Sequence, residues 1–294
     1  MNREILKYIK NKNLKITDKE KFTTIIGSEP SRGARSPILW NKCFKRLKKK
    51  VKMYPLDVEK KNLKKLLNFL KSNKNFLGGS VTMPYKENIF DLLKKNSTNE
   101  AKNISAINCI FRDKKGNLKV TNTDGEGSLL AFKKKFKNKK IEKILILGCG
   151  GAGKAVSTYF ANLKEVKSLT ILSRKKKDKY FANRIKSKWL EFNSILKLKY
   201  DFDLIINCTT LGFGKHQEKI SLNKSYLDRL NKNTIIYDII YKPKKTKLLE
   251  YSSKRSLKTL NGLDMNLYQA VISFSYVNKI KNMKLIKKAM NEKL

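Results

Sequence analysis

The chain has 294 residues, 40% of them hydrophobic, enough for two modest domains with cores of their own. Sixty-eight Lys+Arg against 24 Asp+Glu give a formal charge of +44, a field that draws in anionic substrates and cofactors. The lysines run from end to end without aromatic interleaving, which argues against specific nucleic-acid binding, and no run approaches the ~20 apolar residues of a membrane span. The Lys, Asn and Ile excess is what an A/T-rich coding sequence produces, so the runs at 48–50 and 133–135 read as solvated faces. Residues 1–12 lack the apolar centre of a signal peptide, and Cys43, Cys109, Cys149 and Cys208 lie apart in apolar contexts. Reduced thiols and a cytoplasmic location are expected. The single histidine, His216, sits in a polar segment, so proton chemistry falls to Lys, Asp, Glu or Tyr.

In chain order, a strand at 22–26 precedes a helix at 37–47, with Ser36 as N-cap and Pro37 in the first turn. A strand at 52–55 leads to a helix at 58–70, which Asp57 can cap and whose Leu63, Leu66, Leu67 and Leu70 form one apolar face. A further strand ends near Thr82, and 84–93 reads as a helix. Residues 106–121 read as a hairpin turning at 114–117. A linking helix follows at 124–137.

The most informative stretch comes next. The apolar strand 143–147 breaks into Gly148-Cys149-Gly150-Gly151-Ala152-Gly153 and resumes as a helix. Gly148 allows a tight turn, Gly150 lets backbone N–H groups approach a pyrophosphate, and Gly153 lets the helix pack closely on the strand. The helix N-terminus supplies unpaired donors and the positive dipole end. Strands at 169–172, 204–207 and 234–237 continue the alternation, implying a doubly wound parallel sheet. At the tip of the second strand an acid would select NAD and a basic cluster NADP. The chain reads Ser173-Arg174-Lys175-Lys176-Lys177, which favours NADP, with Arg174 the telling residue because Arg is scarce here. Residues 266–294 read as helical.

Short polar segments stand at other element ends: Val81-Thr82-Met83-Pro84-Tyr85-Lys86-Glu87, Ser105-Ala106-Ile107-Asn108, Thr121-Asn122-Thr123-Asp124-Gly125, Tyr241-Lys242-Pro243 through Leu249, and Tyr268-Gln269. Singly, each is routine turn and cap chemistry. Together, in this order around the glycines, they resemble the shikimate dehydrogenase family with its quinate/shikimate relatives, from about Thr24 to Gln269. The resemblance implies an N-terminal α/β substrate domain (1–123 and 263–294), a Rossmann-type NADP domain (124–262) and a cleft between them. It implies an oxidoreductase that reduces 3-dehydroshikimate with NADPH in aromatic amino acid biosynthesis, without a metal. Lys86 and Asp124 would be the catalytic pair; Ser36, Thr82, Asn108, Tyr241 and Gln269 would bind the substrate. The cofactor would meet Gly148, Gly150, Gly151, Ala152, Gly153, Ser173, Arg174, Lys175, Thr209 and Gly262. Hydride addition to a ketone leaves a developing alkoxide, to which a Lys ammonium offers both charge and a proton.

The match departs from the family at Gly33-Ala34-Arg35-Ser36-Pro37-Ile38-Leu39-Trp40-Asn41, where the family shows a segment like H-S-x-S-P-x-x-H-N. Ser36 remains, but Gly33, Ala34 and Trp40 replace a histidine, a serine and a histidine. A hydroxyl lost to a charged group costs ~1.5–3 kcal/mol. Either Ser31, Arg32 or Arg35 compensates, or the pocket takes a different acid. Two alternatives therefore stand beside shikimate: a dehydrogenase of quinate or another shikimate-like acid, and a catalytically idle NADP-binding paralogue. A monomer or homodimer is expected.

Overall fold

The computed structural model describes residues 2–17 and 20–292. Contacts divide the chain into two compact units, Met1–Thr123 with Leu267–Leu294, and Asp124–Asn266.

The first unit begins with β1 (Lys21–Gly27), α1 (Ser36–Arg46), β2 (Val51–Asp57), α2 (Leu63–Ser72) and β3 (Phe76–Val81). It continues with α3 (Lys86–Leu92), α4 (Asn99–Ile104), β4 (Cys109–Arg112) and β5 (Leu118–Thr121). Its sheet runs β2-β1-β3-β4-β5, parallel across the first three strands and antiparallel across the last. Alternation along β1 sends Phe22 and Ile26 to a core with Leu63, Leu66, Leu67 and Leu70 of α2, and Ile25 to the opposite face.

The second unit holds α5 (Asp124–Lys135), β6 (Lys143–Leu147), α6 (Gly151–Ala161), β7 (Ser168–Ser173), α7 (Asp178–Arg184) and β8 (Lys188–Glu191). Then come β9 (Leu204–Asn207), α8 (Lys224–Asp228), β10 (Ile235–Asp238), α9 (Lys247–Lys254) and β11 (Lys258–Leu260). The order β11-β10-β9-β6-β7-β8 is parallel throughout, with the strand order reversing at β6. Leu145, Leu147, Ile205 and Ile236 pack on Tyr226 and Leu227 of α8 and Leu248 and Leu249 of α9. The chain ends with α10 (Leu263–Asn278) and α11 (Met283–Asn291). In the first unit, Phe274 and Ile286 of these helices join Ile25, Trp40 and Phe44 in the second core.

Several local expectations are corrected. Ser36 is not the N-cap of α1 but its first residue, buried, with Arg35 in the capping place. Asp57 caps nothing. Its carboxylate accepts from the Ser31 N–H (2.9 Å) and hydroxyl, and α2 starts only at Leu63, after a 3₁₀ turn over Lys60–Asn62. The helix expected at 84–93 begins at Lys86. Strands β8 and β11 carry no apolar run to announce them. As edges of the sheet they need only half their surface apolar, and the burial pattern of β8 shows two of four residues exposed.

Candidate active site

The glycine turn of the second unit is built as its residues dictate. Gly148 has φ +95°, a left-handed conformation that side chains rarely adopt. A Cβ on Gly153 would stand 2.2 Å from the Gly148 carbonyl oxygen, so only glycine lets α6 leave β6 so closely. A Cβ on Gly150 would meet no atom within 4 Å: protein packing does not demand glycine there, whereas a pyrophosphate lying against the backbone would. Gly151 and Ala152 form the first turn of α6, where a helix leaves N–H donors unpaired. These residues fit a dinucleotide.

At the tip of β7, Arg174, Lys175, Lys176 and Lys177 are all exposed. Ser173 is different. Its hydroxyl donates to Asp178 (2.7 Å) and accepts from the Trp189 indole N–H (2.9 Å), so its side chain is committed inside the protein. Asp178, which takes the Ser173 hydroxyl, is only 4% exposed, while Glu191, opposite Ser173 on β8, is exposed beside the four cations. Lys154, in the first turn of α6, is also buried, its ammonium 5.8 Å from the Phe181 ring of α7. It completes the glycine segment of the sequence, yet no motif gives it a role. Thr209 lies just beyond β9, its hydroxyl and N–H both bonded to Asn207 Oδ1 (2.7 and 3.1 Å). Tyr241 is half-buried in the loop after β10. Gly262 donates its N–H to Ile240 (2.9 Å), and a Cβ there would strike the Ile239 carbonyl oxygen at 1.9 Å; its visible role is close packing under the Tyr241 loop.

In the first unit, Asn108 and Gln269, far apart in sequence, share a buried polar cluster. Asn108 Nδ2 donates to Gln269 Oε1 (3.2 Å), and its Oδ1 accepts from the Thr123 N–H (2.8 Å). The Thr123 hydroxyl reaches the Gln269 carbonyl (3.0 Å) and the Ser273 hydroxyl (2.8 Å). Thr123 and Ser273 therefore orient the two predicted substrate-binding amides. The first stood in a quoted motif and the second is four residues past Gln269, one turn along α10. Both signals were legible.

Thr82 and Lys86 flank the loop after β3. The Thr82 N–H bonds to Ile26 (2.8 Å), its carbonyl accepts from Tyr85 (3.1 Å), and the Tyr85 hydroxyl donates to Val58 (2.7 Å). A Cβ on Gly27 would meet Thr82 Cγ2 at 2.5 Å, so glycine at the end of β1 admits this loop. Lys86 is the first residue of α3, half-buried, its carbonyl accepting from Ile107 (2.9 Å). Asp124, 4% exposed, opens α5 in the second unit and follows Thr123 directly in the chain.

The divergent entry loop resolves part of its own puzzle. Ser31 spends its hydroxyl on Asp57, and Arg32 lies 3.5 Å from Glu29 with 77% of its side chain exposed. Arg35, half-buried, stands beside buried Ser36. Trp40 is fully buried against Phe44 and Phe274 (ring centroids 6.2 and 5.1 Å), its indole N–H without a hydrogen-bond partner. Burial pushes the Cys43 and Cys109 thiols up to about 12 and Cys208 well above its usual value, which keeps all three neutral. Among the described residues no cluster of His, Cys, Asp and Glu could hold a metal, and no helix is long and apolar enough to cross a membrane.

A two-domain α/β chain with a nucleotide-type glycine turn and a separate cluster of buried amides belongs to the class of dinucleotide-binding enzymes. Residues 25–110 match the shikimate dehydrogenase substrate binding domain. The chain is 33% identical to the shikimate dehydrogenase (NADP(+)) of Alkaliphilus metalliredigens (strain QYMF) over 86% of its own length and 91% of that protein. It is 34% identical to the enzyme of the same name from Carboxydothermus hydrogenoformans, over 94% and 99%. The solved shikimate 5-dehydrogenase of Listeria monocytogenes, in complex with shikimate and NAD, superposes with a TM-score of 0.77 at 27% identity, covering 94% of this chain and 98% of that one. The chain belongs to the shikimate dehydrogenase family.

Proposed function

We propose that this chain catalyses the reversible NADPH-dependent reduction of 3-dehydroshikimate to shikimate. The observation that carries the reading is the near-full-length identity to enzymes named shikimate dehydrogenase (NADP(+)), with Lys86 and Asp124 intact in their motifs. The first unit is the substrate domain and the second the cofactor domain. NADPH supplies the hydride to the carbonyl carbon. Lys86 gives its proton to the resulting alkoxide, and Asp124 fixes the ammonium and helps hold the substrate hydroxyls. Thr82, Asn108, Gln269 and Tyr241 complete the substrate site. Ser36, with Arg35 beside it, takes the carboxylate through charge-assisted bonds that replace the missing serine. The backbone around Gly148–Gly153, Thr209 and Gly262 receives the dinucleotide, and Arg174 and Lys175 its 2′-phosphate. Cys43, Cys109, Cys149 and Cys208 are free thiols, which suits a reducing compartment, so we place the enzyme in the cytoplasm.

The test is absorbance at the nicotinamide band with purified protein, NADP and shikimate, against quinate and NAD. Reduction with shikimate is expected, falling ~10²–10⁴-fold in Lys86→Ala while NADPH binding, followed by fluorescence, persists. Reduction with quinate alone would move the substrate to that acid. Intact NADPH binding with no turnover of either acid would favour the idle paralogue.

A further inference from the structure

The second unit contains a buried network that the reaction as described does not use. Asp238, the last residue of β10, is fully buried, and three donors converge on it. Oδ1 accepts from Asn207 Nδ2 (3.0 Å) and from the Ile240 N–H (3.1 Å), and Oδ2 accepts from the Thr246 hydroxyl (2.6 Å). Each bond leads to a different segment. Asn207 ends β9 and, through its Oδ1, holds both the N–H and the hydroxyl of Thr209; its Nδ2 also reaches the Leu211 carbonyl (3.2 Å). The Thr209 hydroxyl in turn accepts from the Leu211 N–H (3.1 Å). Ile240 is the residue before Tyr241. Thr246 closes the far end of the Tyr241 loop and caps α9 by accepting from the Leu249 N–H (3.4 Å).

We propose that Asp238 is a positioning residue that locks the Thr209 loop and the Tyr241 loop into one rigid piece, so that cofactor and substrate contacts of this unit are set together. The proposal rests on the dehydrogenase reading, because it takes Thr209 to meet the cofactor and Tyr241 the substrate. The chemistry explains why the residue is an aspartate. An ionised carboxylate accepts from three donors and offers no hydrogen of its own, whereas an amide would turn an NH₂ toward one of them. Burial raises Asp238 to about 6, and the titratable groups coupled to it, Cys208 beyond β9 and Tyr237 on β10, are themselves held neutral by burial. No cation compensates the carboxylate among these contacts. A charge kept under such conditions is costly unless its hydrogen bonds do something apolar packing cannot. Here they join Asn207 to Asp238, 31 residues further along the chain, beside the direct backbone bond from Ile239 N–H to Asn207 (3.1 Å).

Asp238→Asn and Thr246→Val test the link by steady-state kinetics and by NADPH fluorescence. A residue that merely stabilised the fold would lower the melting temperature and leave the Michaelis constants of the folded enzyme alone. A positioning residue raises KM for shikimate and for NADP together, each by roughly 2- to 30-fold, with a smaller change in kcat. Thr246→Val is the sharper variant, because it removes the hydroxyl bond to Asp238 and keeps the Cβ and γ-methyl that stand against Gly212 of the Thr209 loop; it also serves if Asp238→Asn does not fold. An unchanged NADP KM in folded Thr246→Val overturns the proposal while leaving the dehydrogenase reading intact. If the wild type reduces NADP with neither shikimate nor quinate, the dehydrogenase reading fails instead. The link is then read on NADPH affinity, where weakening in Thr246→Val supports it and no change overturns it.

Discussion

Two loops of this molecule leave the C-terminal ends of parallel strands and are assigned to anions, yet they carry their information differently. The turn after β6 works with backbone. Gly148 supplies a left-handed φ, and at Gly153 any Cβ would stand 2.2 Å from the Gly148 carbonyl oxygen, demands that only glycine meets. The loop after β1, on the proposed reading, works with side chains, and there the chain departs from the family's pattern. Ala34 stands where the family shows a serine, Ser31 is spent on Asp57, and Trp40 has gone into the core against Phe274. Backbone recognition admits few substitutions and stays readable across distant relatives. Side-chain recognition of a carboxylate can be handed from a hydroxyl to a guanidinium a residue away, because both donate hydrogen bonds.

Mutations should separate the two cases. The largest effect is expected at Gly153→Val, where the added side chain collides with the Gly148 carbonyl: loss of NADPH binding by fluorescence and a stability loss on the order of 2–4 kcal/mol in urea melts. Full cofactor affinity in that variant would mean that the close packing of α6 on β6 is dispensable. Arg174→Asp should come next, lowering the NADP/NAD ratio of kcat/KM about 10- to 100-fold while leaving the shikimate KM alone. An unchanged ratio would leave NADP preference to Lys175 and its neighbours. The smallest effects belong to the loop after β1. Ala34→Ser should lower the shikimate KM only a few-fold if, as proposed, Arg35 and Ser36 hold the carboxylate. Ser31→Ala should cost about 1–2 kcal/mol of stability through the stranded Asp57, with KM unchanged. A large rise in KM in Ser31→Ala would return that residue to the substrate.

Much of this was legible in the chain itself. The strand 143–147, the glycine turn and the apolar face of Leu63, Leu66, Leu67 and Leu70 follow from local periodicity and stand in the structure as read. The misreadings share a cause. Ser36 and Asp57 have the side chains of helix caps, but capping competes with other partners: Asp57 meets Ser31, 26 residues away, and Ser36 is drawn inside α1. The short edge strands β8 and β11 gain their identity from the strand beside them, since a half-exposed ladder needs no apolar signature of its own.

The sequence by itself determined the alternation of strands and helices, the dinucleotide turn and the motif residues from Thr82 to Gln269, because each depends on chain-local geometry or on residue types at short spacing. Only the tertiary structure decided which polar groups are already taken. It showed that the Ser173 hydroxyl belongs to Asp178 and Trp189, that Thr123 and Ser273 hold Asn108 and Gln269, and that Asp238 gathers donors from two loops. Hydrogen bonds between residues tens or hundreds of positions apart leave no periodic trace in a chain; they exist once packing has excluded water and each buried donor must find its acceptor.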